Sequence, residues 1–338
     1  MVQKTAFRLF EVEVFEGLKR KPVPDGENIG DTELIEYIES ALQDMQGNPM
    51  IGKPTSLPHP EDLVKQQPKA DDPYLTVLEH SRRGRVIEVG VSTGRYGDRD
   101  SLMNPKGVVN DISDSATGRN YRVRLAFPED KNKFYIVSQV RGRSEAGVNL
   151  LKFLSFFRHL QVCVVNNGTV DTNGKWYRFL PRPIIDNERF DTLANNVTMQ
   201  RLSLKSSGTT HGPRTNNSIT VTTIIQQDKL RAKALTLLQK WVNALLHKHD
   251  LNKRSSAQEV AAIFPEGYLH DTVDWDDGQL TFEENGSQTT VSAQTIGDLF
   301  TYPLPPGSNI NDLWVDADKR LRIISQMSHV NIPHIDTL

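Results

Sequence analysis

The chain predicts an α+β fold of mostly antiparallel sheets with a few packed helices, built as two domains or as one domain with a large insertion. Three observations predict it. Short segments rich in alternating apolar and polar residues recur between Gly-, Asn- and Ser-rich turns, the pattern of antiparallel strands. Separate segments place apolar residues at helical spacing. The order is strands, helix, strands, helix, hairpin, without the β-α-β alternation of a doubly wound sheet. A length of 338 residues is long for one core.

Residues 5–15 set Phe7, Leu9, Val12 and Val14 against Arg8, Glu11 and Glu13, which predicts a strand with a slip near Phe10. The start has no apolar run before a small-residue cleavage site, so it reads as this strand and not as a signal peptide. Asp31 is expected to open a helix that buries Leu34, Ile35, Ile38, Ala41, Leu42 and Met45 and ends at Gly47; Glu33, Glu36, Glu39 and Asp44 then form a solvated face. The proline-rich stretch 47–73 predicts an irregular strap. Strands follow near 85–94, 119–127 and 133–142, then a helix from Gly147 with Val148, Leu151, Leu154, Phe157 and Leu160 in register, and a short strand containing Cys163.

Strands at 197–206 and 218–227 bracket the loop SGTTHGPRTNN. The strongest helix is 228–247, basic on its outer sides and read as a core and dimer element. Ser256 and Glu259 suggest a capping box for a shorter helix, and Asn285-Gly286 the turn of a hairpin over 278–292. The tail from 298 reads as acidic and extended. The expected division is an N-terminal region, 1–165, with the strap and an arginine-rich sheet, and a C-terminal region, 166–338, with the long helix and the acidic tail.

Composition narrows the function classes. No apolar run is long enough to span a membrane, and a single cysteine, Cys163, excludes an internal disulfide framework; a cytoplasmic location is the expectation. Its apolar neighbours suggest a buried, inert thiol. There is no Walker loop, and Gly90, Gly94 and Gly97 lack the spacing of a dinucleotide fingerprint. No His-Glu-x-x-His occurs, and His247 and His249 cannot face one metal from a regular helix. Asp274, Asp276, Asp277, Glu283 and Glu284 form an acidic cluster, but without the nearby lysine of a two-metal nuclease. The segment FPEDKNKFYIVSQV has Ser138 and Gln139 where a restriction-type nuclease needs a carboxylate and a lysine. These absences predict a protein that is not an enzyme and takes no cofactor and no metal.

Charge is the positive signal. The net charge of −2 conceals a segregation: −6 over residues 1–74, +6 over 75–160, +8 over 161–255 and −10 over 256–338. A basic middle between acidic ends points to a polyanion partner, or to basic surface docked on the acidic ends within the chain or across a dimer. The candidate phosphate contacts are strand and loop cations: Arg82, Arg83, Arg85, Arg95 and Arg99; Arg119, Arg122 and Arg124; Arg141 and Arg143; and Lys205 with Arg214. Arginine and lysine neutralise phosphates, and neighbouring hydroxyl and amide groups add contacts that read no sequence. Alternation puts Arg122 and Arg124 on one sheet face, with Tyr121, Val123 and Leu125 on the other. No recognition helix for base reading is evident.

The order of a first strand, a short acidic helix, the segment EHSRRGRVIEVGV entering an arginine-rich sheet, and VRGRSEAGVNLLKFL leading to a helix resembles the RexA phage-exclusion proteins. The resemblance is one of layout over about two thirds of the chain and transfers no individual residue. It implies a homodimer that binds double-stranded DNA without strong sequence preference, in prophage-encoded defence, with a membrane-protein effector encoded nearby as a further partner. The rival expectations are a metal-dependent nuclease with a degenerate site and a protein-interaction module of a defence complex.

Overall fold

The computed structural model describes residues 5–29, 32–54, 72–96, 101–103, 109–111, 116–129, 131–142, 144–166, 169–186, 188–191, 198–206, 219–246, 252–269, 273–284, 287–305 and 307–328. Much of the proline-rich strap, Arg99, Arg143, Arg214, the loop 207–218, the His247/His249 pair and the Asn285-Gly286 turn lie outside them.

The fold is α+β. In chain order the elements are β1 (Thr5–Glu16), α1 (Leu34–Met45), β2 (Met50–Ile51), β3 (Pro73–Arg83), β4 (Val86–Tyr96), β5 (Ser101–Met103), β6 (Val109–Asp111), β7 (Ala116–Ala126), β8 (Lys133–Arg141), β9 (Ser144–Glu145), α2 (Gly147–Val162), β10 (Cys163–Asn166), β11 (Thr169–Thr172) and β12 (Tyr177–Pro183). They continue as β13 (Thr198–Ser206), β14 (Ile219–Ile224), α3 (Asp228–Leu246), α4 (Lys253–Ala261), β15 (Asp277–Glu284), β16 (Ser287–Ser292), a 3-10 helix (Ala293–Phe300), β17 (Thr301–Pro303) and α5 (Ile310–Ser328). Two compact units result, 1–183 with 301–338, and 184–300. The first boundary falls after β12 and not at 165, because β12 pairs with β1 along seven residues, from Phe10↔Pro183 to Glu16↔Tyr177. The chain then returns to the first unit, since β17 also pairs with β1.

The first unit is built on an antiparallel sheet in the order β12-β1-β8-β7-β4-β3-β2. One face carries Phe10, Val12, Val14, Leu75, Val77, Ile87, Val89, Val91, Tyr121, Val123, Leu125 and Ile136, all buried with the apolar sides of α1 and α2. α1 follows its predicted register; it starts at Leu34, three residues after Asp31, and stops where Gly47 takes a φ of 75° that a side chain disfavours. β1 buries residues on both faces, which is why its alternation slips. Phe10, Val12 and Val14 belong to the helix-covered core, whereas Phe7 and Leu9 face the opposite side.

That opposite side is covered too. α5 buries Leu313, Trp314, Ala317, Leu321 and Ile324, a helical spacing inside a tail expected to be extended. The sequence expectation is overturned here: the Asp312, Asp316 and Asp318 that gave the tail its acidic character share a helix with five core side chains. Each of Leu313, Leu321 and Ile324 contributes ~1.5–3 kcal/mol when removed from water, so α5 is a structural layer of this unit.

The second unit is the sheet β14-β13-β15-β16. Its core joins Met199, Leu202, Leu204, Leu280, Phe282 and Val291 to α3, α4 and the 3-10 helix. α3 buries Ala234, Leu237, Leu238, Trp241 and Val242 in this core, with Leu230, Leu235 and Leu245 partly buried against it. The proposed capping box is absent: α4 begins earlier, at Asn252, whose side chain accepts from the Arg254 backbone N–H at 2.9 Å. Glu259 instead accepts from Trp241 Nε1 (2.9 Å) and Lys240 (2.7 Å), tying α4 to α3.

One buried titratable group couples the first unit to pH. His159 on α2 is stacked on Trp176, with ring centroids 3.8 Å apart. Its Nε2 lies 3.3 Å from Thr172 Oγ1, and its Nδ1 is buried without a partner. Burial pushes the imidazole pKa below its ordinary 6.5. The neutral ring is the folded form, so its stabilising contribution is complete above pH 6.5 and is lost as pH falls from 6.5 through the folded pKa. An NMR titration of His159 is expected to give a midpoint below 6.5; a midpoint at or above 6.5 contradicts this. Cys163, expected to be buried, is partly exposed; partial burial nevertheless raises its thiol pKa, against a hydrogen bond from Thr172 that lowers it.

Candidate nucleic-acid interface

The predicted cations do not form one surface. Those at the β3–β4 hairpin end face α1. Arg82 Nη1 lies 2.7 Å from Glu39, and Arg85 Nη1 lies 3.2 Å from Glu33. Arg85 also donates to the carbonyls of Phe127 (3.0 Å) and Pro128 (3.2 Å). The acidic face of α1, expected to be merely solvated, is therefore the counter-surface for this arginine group. Such pairs contribute ~0–1 kcal/mol each when exposed. Their larger effect is on the field, because the carboxylates cancel the charge a phosphate would meet. Arg83, at the end of β3, is exposed.

Arg122 and Arg124 share one face of β7, as alternation predicts, and both meet carboxylates of nearby strands. Arg122 Nη1 is ion-paired with Glu79 across β4. Gly90 lies between them: a Cβ there would approach the Glu79 side chain to 3.0 Å and Arg122 Nη1 to 3.2 Å. A glycine here leaves the room in which these two side chains meet. Gly118 answers to a similar demand, since a Cβ on it would lie 1.7 Å from the Tyr74 hydroxyl. Gly90 and Gly118 clear paths for cross-strand side chains.

Arg124 is only 5% exposed. Its Nη2 is 3.3 Å from Glu88, and its guanidinium lies 4.4 Å from the ring centre of Trp314 on α5. Trp314 Nε1 donates to the other Glu88 oxygen at 2.7 Å. Burial lowers the pKa of Arg124, opposed by the Glu88 carboxylate; the residue remains a cation. Arg124, Glu88 and Trp314 form a closed cluster under α5. Here the expectation of a phosphate contact is corrected, and the docking of basic surface on an acidic end of the same chain is what the geometry contains.

The other end of the sheet differs. β4 and β7 stay paired as far as Tyr96↔Ala116. β8 leaves β7 earlier: the last pair is Val123↔Ser138, and beyond it the Gln139 side chain accepts the Arg122 backbone N–H at 3.0 Å. The antiparallel directions bring the end of β4, the start of β7 and the end of β8 together. These three termini carry Arg95, Arg119 and Arg141. Thr93 pairs with Arg119 and Arg95 with Thr117, so Arg95 and Arg119 are diagonal neighbours on one face of the β4–β7 ribbon. Both are exposed, and Arg141 is partly exposed. Among the described residues no carboxylate is ion-paired with Arg119 or Arg141. The sequence placed these three arginines in separate groups; strand order sets them at one end of the sheet, Arg95 and Arg119 on the face shared with Tyr121 and Val123, and Arg141 on the face shared with Phe7 and Leu9.

In the second unit Lys205 is exposed on β13, opposite Thr220 and Asp277, on the sheet face that also holds Arg201 and Ser203. Three members of the acidic cluster make separate structural contacts. Asp274 takes both oxygens to Arg254 Nη2 at 3.0 Å, Asp277 accepts from Gln279 at 2.8 Å, and Glu283 accepts from Gln200. Among the described residues no three His, Cys, Asp or Glu side chains are placed to hold a metal ion. Among them, too, no helix is long and apolar enough to cross a membrane. Comparison with protein-family models, with curated proteins and with solved structures finds no match to this chain.

Proposed function

We propose that this protein binds the phosphate backbone of double-stranded DNA without reading base sequence, through the sheet end that carries Arg95, Arg119 and Arg141. The observation that carries the reading is the contrast between the two ends of one sheet. At one end, Arg82 and Arg85 are neutralised by α1, and Arg122 and Arg124 are neutralised within the sheet. At the other end three strands deliver arginines without such pairing on Arg119 and Arg141. A two-stranded ribbon bearing guanidinium groups is an element that duplex grooves admit, and backbone contacts need no recognition helix. The likeness of layout to RexA-type proteins supports placing this binding in exclusion of, or defence against, phages.

Duplex binding across a salt series tests the proposal. The expected result is an affinity that falls with salt, with the slope of log K against log salt reduced by ~0.9 for each phosphate contact removed. Arg119→Glu and Arg141→Glu are expected to weaken binding and flatten the slope, while Arg82→Ala leaves the slope unchanged. Affinity that is absent at low salt, or indifferent to salt, overturns it.

A further inference from the structure

The edges of the two sheets are not protected alike. β12 closes one edge of the large sheet with Pro181 and Pro183, which cannot donate to a further strand, and with Arg178 and Arg182. The opposite edge, β2, is two residues long. Prolines, charges and shortness are how sheets refuse additional strands.

β14, an edge of the four-stranded sheet, has none of these devices. Its six residues, Ile-Thr-Val-Thr-Thr-Ile, are all β-branched. No charged residue occurs from Thr215 to Gln227. Its inner side pairs with β13 over six residues, from Ser206↔Ile219 to Arg201↔Ile224, and its outer side has no strand beside it among the described residues. Ile219 is 49% exposed and Ile224 65% exposed, on opposite faces of the strand. The opposite edge, β16, exposes no large apolar side chain among its described residues.

We infer that β14 is a docking edge for β14 of a second copy of this chain, which adds antiparallel about a two-fold axis normal to the sheet. A second copy is the occupant that the strand's own chemistry selects. A neutral strand can pair with itself without setting like charges opposite one another, and an isologous contact closes on itself. Side-chain parity fixes the register class, because paired residues must share a face. With Thr222 on the axis, Thr220 lies opposite the partner's Ile224, and the hydroxyl row of Ser203 and Thr222, 3.1 Å apart, continues into the partner sheet. The two four-stranded sheets then form one continuous sheet. This inference is independent of the DNA-binding reading, since it uses none of that reading's residues.

Sedimentation of the full chain over a range of concentrations tests it, with Thr222→Lys/Ile224→Lys as the disrupting variant and circular dichroism as the check on folding. Both positions are exposed, and lysine is tolerated on an edge strand. The expected result is a wild-type dimer and a folded double variant whose dimer dissociation constant is raised at least about tenfold, the weight of some 1.4 kcal/mol. Mild oxidation of Thr222→Cys is expected to give a covalent dimer, and Thr236→Cys on the solvent side of α3 is not. A wild-type monomer overturns the inference and leaves the edge to a strand of a different protein. A dimer that survives the double substitution, with no cross-link at position 222, overturns it as well.

Discussion

Replacing Trp314 by alanine is expected to cost the first unit about 3–5 kcal/mol, the range for deleting a large buried aromatic side chain. Three losses coincide. The indole is buried with Leu313, Ala317, Leu321 and Ile324 on the inner side of α5. Its ring provides the face over which the Arg124 guanidinium sits. Its Nε1 fills one oxygen of Glu88. Trp314→Phe keeps the ring face and loses only the N–H, so a smaller loss is expected. The urea midpoint of the first unit, followed by near-ultraviolet dichroism, measures both. A loss under 1 kcal/mol for Trp314→Ala contradicts the assignment of α5 as a core layer and makes it a detachable lid.

Removing Glu88 is the second large effect. Glu88→Ala leaves a nearly buried guanidinium without its carboxylate, and stranding one partner of a buried pair costs about 3–5 kcal/mol. Arg124 Nε is already buried without a hydrogen-bond partner, so the cluster has no slack to absorb the loss. Replacing the pair together, as Glu88→Leu/Arg124→Met, removes both charges and is expected to recover most of the stability. The two single variants and the double variant form a cycle whose coupling energy is the quantity of interest. A coupling indistinguishable from zero contradicts the cluster. The same double variant bears on function, since an Arg124 that serves stability alone can be lost without change in DNA affinity.

The parts of the fold that were legible from the sequence are those with an undisturbed period. α1 and α3 follow their apolar spacing, and β7 sorts Tyr121, Val123 and Leu125 from Arg122 and Arg124 by simple alternation; α2 is a helix as expected, but its buried side is Leu150, Leu151, Phe153, Leu154 and Phe156, and Val148, Phe157 and Leu160 are only partly buried. β3 escaped because a bulge between Val77 and Glu79 breaks its alternation and turns Leu78 out to solvent. β12 was not foreseen, and its two prolines are residues that a strand interior seldom holds. α5 was hidden by its acids, although Leu313, Ala317, Leu321 and Ile324 keep helical spacing beneath them.

The candidate site was legible as a charge but not as a place. Alternation told which face Arg122 and Arg124 share, yet nothing local told that α5 lies over that face. Pairing of Arg82 and Arg85 with Glu39 and Glu33 depends on α1 packing across strands more than forty residues away in sequence. That Arg95, Arg119 and Arg141 lie at one end of the sheet, on its two faces, is a product of strand order. Long-range pairing therefore decides which arginines of a basic segment face solvent and which neutralise the chain's own acids.

The most direct test of this division is duplex DNA binding measured over a salt series for three proteins: the wild type, Arg95→Glu/Arg119→Glu/Arg141→Glu, and Arg82→Ala/Arg122→Ala. The first reversal is predicted to lower affinity at low salt by at least about two orders of magnitude and to reduce the salt slope by ~2 to 3, as expected for lost phosphate contacts. The second variant is predicted to keep both affinity and slope. If the slope survives reversal of Arg95, Arg119 and Arg141 and falls instead when Arg82 and Arg122 are removed, the binding surface lies at the opposite end of the sheet and the account is wrong.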